Sequence, residues 1–383
     1  MENDFLVFGK PLISEEDIKE VVDCLKSGWI GTGPRVKHFE EMFRVYKGVK
    51  HAAAVNSCTA ALHLVLEAIG IGSGDEVIVP SMTFAATANA VIHSGARPVL
   101  VDVDKSTMNI DISDIKRKIT AKTKAVIPVH FAGRPCDMDG IIELSKKNNL
   151  KIIEDSAHAL EAEYHGRKTG TMGDAGCFSF YATKNVVTGE GGMVITGNEE
   201  YARKVKIMSL HGMSSDAWER TGSTSGSGHY DVVYPGYKFN MTDLQASLGM
   251  HQFPKIDEYH KRRRDIWEKY NESFSALPVF TPKEAGAGVK HSYHLYTLLL
   301  NIDKTGITRD EFISEMKKRK IGVGVHYKAL HLHPYYSLTF GYKKGDFPNA
   351  EWISERTVSL PLSPALTDEN VQSVITAVKD ILK

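Results

Sequence analysis

Apolar and polar positions follow two rhythms along this chain, and the change falls near residue 250. Before it, short apolar runs recur between helical stretches. AAAV (52–55), EVIVP (76–80), PVLVD (98–102), KAVIPV (124–129) and KIIED (151–155) read as strands, with helices over 58–69, 84–94 and 138–149. The runs are apolar throughout rather than at alternate positions, as in strands buried on both faces. With helices between them they predict a mainly parallel sheet covered on both sides. Two more runs, AGCFSF (175–180) and MVIT (193–196), flank a loop holding Lys184 and the cluster Gly189-Glu190-Gly191-Gly192.

Residues 14–27, SEEDIKEVVDCLKS, have helical spacing. Ser14 can cap the start, Glu16 and Asp17 suit its positive end, and Ile18, Val21, Val22 and Leu25 share one face. An irregular loop over 28–34 leads into a second amphipathic stretch, 35–47. After residue 250 the pattern becomes a long charged helix (254–276), a strand (293–302), a helix (308–319), a short strand (321–326) and a terminal helix (367–382). The expectation is a large α/β domain over 1–250 and a smaller C-terminal α+β domain over 251–383. Lys261-Arg262-Arg263-Arg264 reads as a solvated helix face. The Gly- and Ser-rich segment 212–232 reads as an excursion over a site.

Composition narrows the function classes. Lys plus Arg and Asp plus Glu both number 47, so there is no electrostatic footprint for nucleic acid or an anionic membrane. Four cysteines without CxxC spacing suggest neither zinc nor a disulfide framework. The start, MENDFLVFGK, lacks an apolar signal core, and no uncharged run approaches the roughly 20 residues of a membrane span. The expected location is the cytoplasm.

Three segments carry candidate chemistry. NSCTAAL (56–62) follows a strand and opens a helix, where free backbone N–H groups beside the Ser57 and Thr59 hydroxyls make an anion site. Neither it nor GIGSGDE (70–76) has GxGxxG spacing, which excludes a dinucleotide fingerprint. In IEDSAHA (153–159), Asp155 ends a buried strand, where α/β sheets bind ligands, and a carboxylate there needs a positive partner or several donors. His158, three residues on, can face the same pocket. Lys184 follows another buried strand, and a desolvated lysine can form a Schiff base. Each segment alone has a plain structural reading: a helix cap, a core histidine, a surface lysine. Together they equip a pyridoxal phosphate site. Ser57, Thr59 and Ser179 hold the phosphate, Asp155 pairs with the pyridinium nitrogen, and Lys184 makes the covalent link. Phe84 can stack on the ring.

The ordered set NSCTAALHL, GSGDEVIVPSMTFAATANA, PVLVDVD, IPVHFAG, IEDSAHA, CFSFYATKNVVTGEGGM and PGYKFNMTDLQA resembles the DegT-type nucleotide-sugar aminotransferases, which are fold-type-I pyridoxal-phosphate enzymes. The likeness runs from FGKP near residue 8 to SLPLSP near 364. SGWIGTGP, IEDSAHA and GVHYKALHLHPYY most resemble members acting on UDP-linked 4-keto sugars, such as the enzyme making UDP-4-amino-4-deoxy-L-arabinose. The resemblance implies that Lys184 is the Schiff-base lysine and proton shuttle, Asp155 the ring-nitrogen partner, and His158 the residue beside the ring oxygen. Cys58 (through its backbone N–H), Thr59 and Ser179 match phosphate ligands, and Phe84 the stacking aromatic. Asn240 matches a residue given to the phosphate across a dimer interface, so a homodimer with shared sites is implied. Trp29, Lys238, His326 and Tyr327 fall in stretches that line the nucleotide-sugar site.

The implied reaction is ping-pong. L-glutamate leaves as 2-oxoglutarate, and its amine passes to the 4-keto carbon of a UDP-linked sugar, for lipopolysaccharide or another surface glycan. Dehydratase relatives replace the lysine with histidine, so Lys184 argues against that class. The alternatives are amination at C3, a non-catalytic sugar-nucleotide sensor, and a metal hydrolase built on His326, His331 and His333.

Overall fold

The computed structural model describes residues 5–214 and 229–383. Most of the expected excursion, 215–228, lies outside the described residues. In the first 200 residues the strands are β1 (His51–Val55), β2 (Glu76–Pro80), β3 (Arg97–Val101), β4 (Thr123–Val126), β5 (Lys151–Asp155), the short β6 (Glu163–Tyr164) and β7 (Arg167–Lys168), then β8 (Ala175–Ser179) and β9 (Gly192–Thr196). Seven of these form one sheet in the order β1-β9-β8-β5-β4-β2-β3. Only β9 runs against the rest, pairing antiparallel with β1 and β8. The sheet is the mainly parallel one that the apolar runs predict. Its strands are buried almost along their length because helices cover both faces.

This topology puts the carboxyl ends of β1, β2, β5 and β8 on one side. Each of those ends hands over to a loop or helix start. Ser57 caps Cys58–Ile69, accepting the Ala60 N–H at 3.1 Å, and Phe84 precedes Ala85–His93. At the N-terminus, Ser14 and Asp17 form a reciprocal capping box on helix Glu15–Ser27, and Pro34 opens helix Pro34–Lys47. The first helix does not bury its apolar row. Asp17 and Cys24 point inward against helix Asp243–Met250, while Ile18, Val22 and Leu25 are exposed.

The C-terminal part has its own core. Helix Ile256–Phe274 packs Trp267, Tyr270 and Phe274 against a small antiparallel sheet of β10 (Val279–Phe280), β12 (Tyr296–Leu300) and β13 (Thr357–Leu360), with helices Arg309–Lys318 and Asp368–Ile381 on top. Between β10 and β12, β11 (Val289–Lys290) leaves this sheet and pairs with β6. The N-terminal segment also crosses over: Leu6 exchanges backbone hydrogen bonds with Lys320 and Gly322, and the Lys10 carbonyl accepts from Ser363.

Two expectations need correction. Residues 321–326 do not form a strand; they make single bridges, Ile321 to Leu6 and Gly324 to Ser359. Nor is the basic run uniformly solvated. Arg263 is buried, with Nη1 donating to the Leu362 carbonyl at 3.0 Å, and Arg262 donates to the Leu366 carbonyl at 2.6 Å. The run ties the long helix to the chain that follows β13.

Candidate active site

A cavity of about 490 Å³ opens over the carboxyl ends of β1, β2, β5 and β8. It gathers Ser57, Cys58, Thr59, Phe84, Asp155, His158, Ser179, Lys184, His326 and Tyr327. Trp29, Lys238 and Asn240 are not among its lining residues. Trp29 donates from its indole to the Thr32 carbonyl, Lys238 is exposed, and Asn240 donates to the Thr32 hydroxyl at 2.6 Å in a separate cavity.

Asp155 is 5% exposed. Its Oδ2 accepts from the Thr87 hydroxyl at 2.9 Å and its Oδ1 from the Ala157 N–H at 3.2 Å. Burial drives its carboxyl above the usual range, and these donors pull only part of the way back. A buried carboxylate facing a cavity with neutral donors alone is suited to a cationic ligand atom.

Lys184 sits in the turn after β8, its N–H bonded to the Tyr181 carbonyl at 2.8 Å. Burial lowers its amine to about 8, although Cys58 and Asp155 pull the other way. A substantial fraction is therefore neutral near physiological pH, as a nucleophilic amine requires.

The Ser57 cap, the first turn of its helix and Ser179 line one edge of the cavity, where helix-start N–H groups and hydroxyls suit an anion. The glycine cluster explains how β9 fits beside it. A Cβ on Gly192 would stand 2.4 Å from the Ser57 carbonyl carbon, so only glycine allows this approach.

His158 is buried, and its Nδ1 accepts from the Ala132 N–H at 3.3 Å. The proton therefore sits on Nε2, which donates to the Tyr327 hydroxyl at 3.2 Å. Burial, with Lys184 and His326 nearby, holds this imidazole well below its ordinary value and hence neutral. Tyr327 is pushed up by burial and by Asp155 and keeps its proton. Its ring lies 5.8 Å from that of Phe84, which is 60% exposed at the mouth. His326 bonds the Ser359 hydroxyl at 2.8 Å, and burial lowers it to about 4.

Sequence reading overlooked Thr87 and Thr83, which both line the cavity. Their spacing of four on the segment after β2 was the available signal. Among the described residues, no cluster of three or more His, Cys, Asp or Glu could hold a metal. His331 instead bonds Glu351 at 2.9 Å, away from His326.

The residues fit pyridoxal phosphate. A buried carboxylate hydrogen-bonded only by neutral donors suits a protonated ring nitrogen, a helix start with hydroxyls suits a phosphate, and a low-pKa amine suits an aldehyde. Fold and site together define a fold-type-I pyridoxal-phosphate-dependent aminotransferase. The description of the DegT/DnrJ/EryC1/StrS aminotransferase family matches residues 11–379, and the chain belongs to that family.

Relatives agree. The chain is 50% identical over 383 residues to the spore coat polysaccharide biosynthesis protein SpsC of Bacillus subtilis, covering 100% of this chain and 98% of the other. A putative sugar aminotransferase, Spr1654 of Streptococcus pneumoniae, solved in PMP and PLP forms, is 36% identical. In its PMP form the TM-score is 0.91 over 98% of both chains. Helicobacter pylori PseC, an aminotransferase of pseudaminic acid biosynthesis, is 30% identical with a TM-score of 0.91 over 99% of both chains. The protein is a sugar aminotransferase with pyridoxal phosphate as its cofactor. Among the described residues, no helix is long and apolar enough to cross a membrane.

Proposed function

We propose that the protein moves the amino group of L-glutamate onto the 4-keto carbon of a UDP-linked sugar, for a cell-surface polysaccharide or glycan, in the cytoplasm. One observation carries the reading: the Lys184 amine and the Asp155 carboxylate face one cavity beside a capped helix start. Bound pyridoxal phosphate supplies an electron-withdrawing ring that eases removal of a proton from the carbon bearing nitrogen. Asp155 keeps the ring nitrogen protonated. Lys184 Nζ, neutral in part, takes and returns the proton. Ser57, Thr59, Ser179 and the Cys58 N–H hold the phosphate. Phe84 stacks at the mouth, and neutral His158 donates from Nε2 without adding charge.

The sugar assignment is supported by His326 and Tyr327, which bring the GVHYKALHLHPYY segment to the cavity. SpsC and PseC, named for polysaccharide and pseudaminic acid biosynthesis, support the pathway class. Two features support a homodimer with shared sites. Ile18, Val22 and Leu25 are left on the outside of the first helix, and Asn240 stands apart from its own chain's Lys184 cavity. Trp29 and Lys238 would serve the substrate from that side.

The test is an absorbance titration. L-glutamate should bleach the yellow cofactor-loaded protein, and a UDP-4-keto sugar should restore the colour. Restoration by a UDP-3-keto sugar alone would move the site of amination to C3. A yellow protein unmoved by glutamate would remove glutamate as the donor.

A further inference from the structure

We infer that Asn185 is a positioning residue for Lys184, held in a buried clasp by Glu161, Ser292 and His294. The inference rests on the reading of Lys184 as the residue that engages the cofactor. Asn185 follows Lys184 directly. Its Nδ2 stands 3.0 and 2.8 Å from the two oxygens of Glu161 and 3.0 Å from the Ser292 carbonyl. Its Oδ1 lies 3.0 Å from Nδ1 of His294. An amide nitrogen only donates and an amide oxygen only accepts, so the carboxylate decides which end faces it. His294 must then carry its proton on Nδ1. The Ser292 hydroxyl completes the clasp by donating to Glu161. All four side chains are buried.

Three pieces of chain meet here. Glu161 belongs to the loop that follows Asp155 at the end of β5 and also carries His158. Asn185 belongs to the loop after β8. Ser292 and His294 come from the stretch leading into β12. The His294 ring lies 4.4 Å from the His158 ring, so the clasp also backs the imidazole in the cavity. A buried network whose members are all satisfied specifies one arrangement of the segments it joins. The segment specified here is the one that aims Lys184.

The test uses protein loaded with pyridoxal phosphate: wild type, Asn185→Ala, Glu161→Ala and Glu161→Gln. Three readouts are taken: the pH titration of the visible band, the lysine tagged by borohydride reduction and mass mapping, and Tm. The alanine variants should move the titration midpoint by about half a pH unit or more, the scale of a changed hydrogen-bonding environment. They should also lower the fraction of Lys184 tagged several-fold. Glu161→Gln keeps one acceptor for Asn185 but turns an amide N–H₂ against its Nδ2, so it should shift the midpoint in the same direction as Glu161→Ala and by less. If Asn185→Ala does not fold, Ser292→Ala is read in the same way. Unchanged midpoints and tagging in the alanine variants, whatever their Tm, overturn the inference. Tagging of a lysine other than Lys184 in the wild type overturns the underlying reading instead.

Discussion

The Thr87 hydroxyl donates a 2.9 Å hydrogen bond to Oδ2 of Asp155, linking the helix after β2 to the end of β5. An ionised carboxylate only accepts, so Thr87 must donate. Thr83, whose hydroxyl is 2.9 Å from that of Thr87, must then donate to Thr87. The relay favours the ionised form of a carboxyl that burial pushes the other way.

Thr87→Val keeps the shape and removes the donor. A hydrogen bond to a charged group is worth about 1.5–3 kcal/mol, so kcat should fall roughly tenfold to a hundredfold. Steady-state kinetics with Tm held near wild type would check it. An unchanged kcat would mean that Asp155 needs no support from this side.

Lys184 should take up the cofactor with a pH dependence of its own. With its amine near 8, the neutral fraction rises about tenfold per pH unit below that value and levels above it. The growth of the visible band after mixing apo-protein with pyridoxal phosphate should follow that curve. A rate still climbing above about pH 9 would place the amine at an ordinary lysine value. Lys184→Ala should show no turnover and hold the cofactor without a covalent link.

Residues at or shortly after the end of an apolar strand were readable in the chain. Asp155 ends such a run, Ser57 and Lys184 follow one within a few residues, and a parallel sheet turns those ends to one side. Contacts between distant segments were not. Thr87 meets Asp155 across 68 positions and Asn185 meets Ser292 across 107, through packing that no local window contains. Charge and apolar patterns also misled where they do not say what covers them. Arg263 looks solvated until the Leu362 carbonyl closes over it, and the Ile18–Val22–Leu25 row looks like a core face although Asp17 and Cys24 take the inside. The alternating apolar residues of 321–326 suggest a strand, yet they find pairing partners only at single points.

Beneath the site, Glu154 accepts from the N–H groups of Gly170, Met172 and Gly173 at 2.7, 2.6 and 2.7 Å and from Nε2 of His130 at 2.9 Å. Burial raises its carboxyl, but the His130 bond and the backbone donors outweigh that and hold it below the usual range. A lowered folded-state pKa gives stability that is present above the ordinary carboxylate value and lost as pH falls through the folded one. Glu154→Gln turns an amide N–H₂ toward these donors and should cost about 3–5 kcal/mol at pH 7. Urea unfolding should show the gap narrowing toward pH 4. A gap of equal size at both pH values would show that the carboxylate's charge plays no part.

Lys47 gives a pH slope of the same sign in a higher pH range. It is 4% exposed, and its Nζ lies 2.8 Å from the Leu160 carbonyl, 2.9 Å from the Thr169 carbonyl and 4.4 Å from the Phe178 ring centre. A neutral amine has two N–H groups for these two carbonyls. The ammonium form adds a third, with only the ring face to meet it. Burial brings the amine down to about 7; Glu154, Glu161 and Glu163 pull it up and Lys168 pushes it down. The unfolded chain keeps the proton up to about 10.4, so from about pH 7 upward the unfolded state binds more protons. Stability from this residue then rises by about 1.4 kcal/mol per pH unit. Lys47→Met removes the titration and leaves both carbonyls without a donor. It should therefore be markedly less stable than wild type at pH 9, with the difference shrinking by about 2–3 kcal/mol on going to pH 7. Denaturant unfolding of the two proteins at both pH values measures this directly. A difference that does not change with pH would mean that Lys47 keeps its proton in the fold, with the carboxylates of Glu154 and Glu161 outweighing its burial.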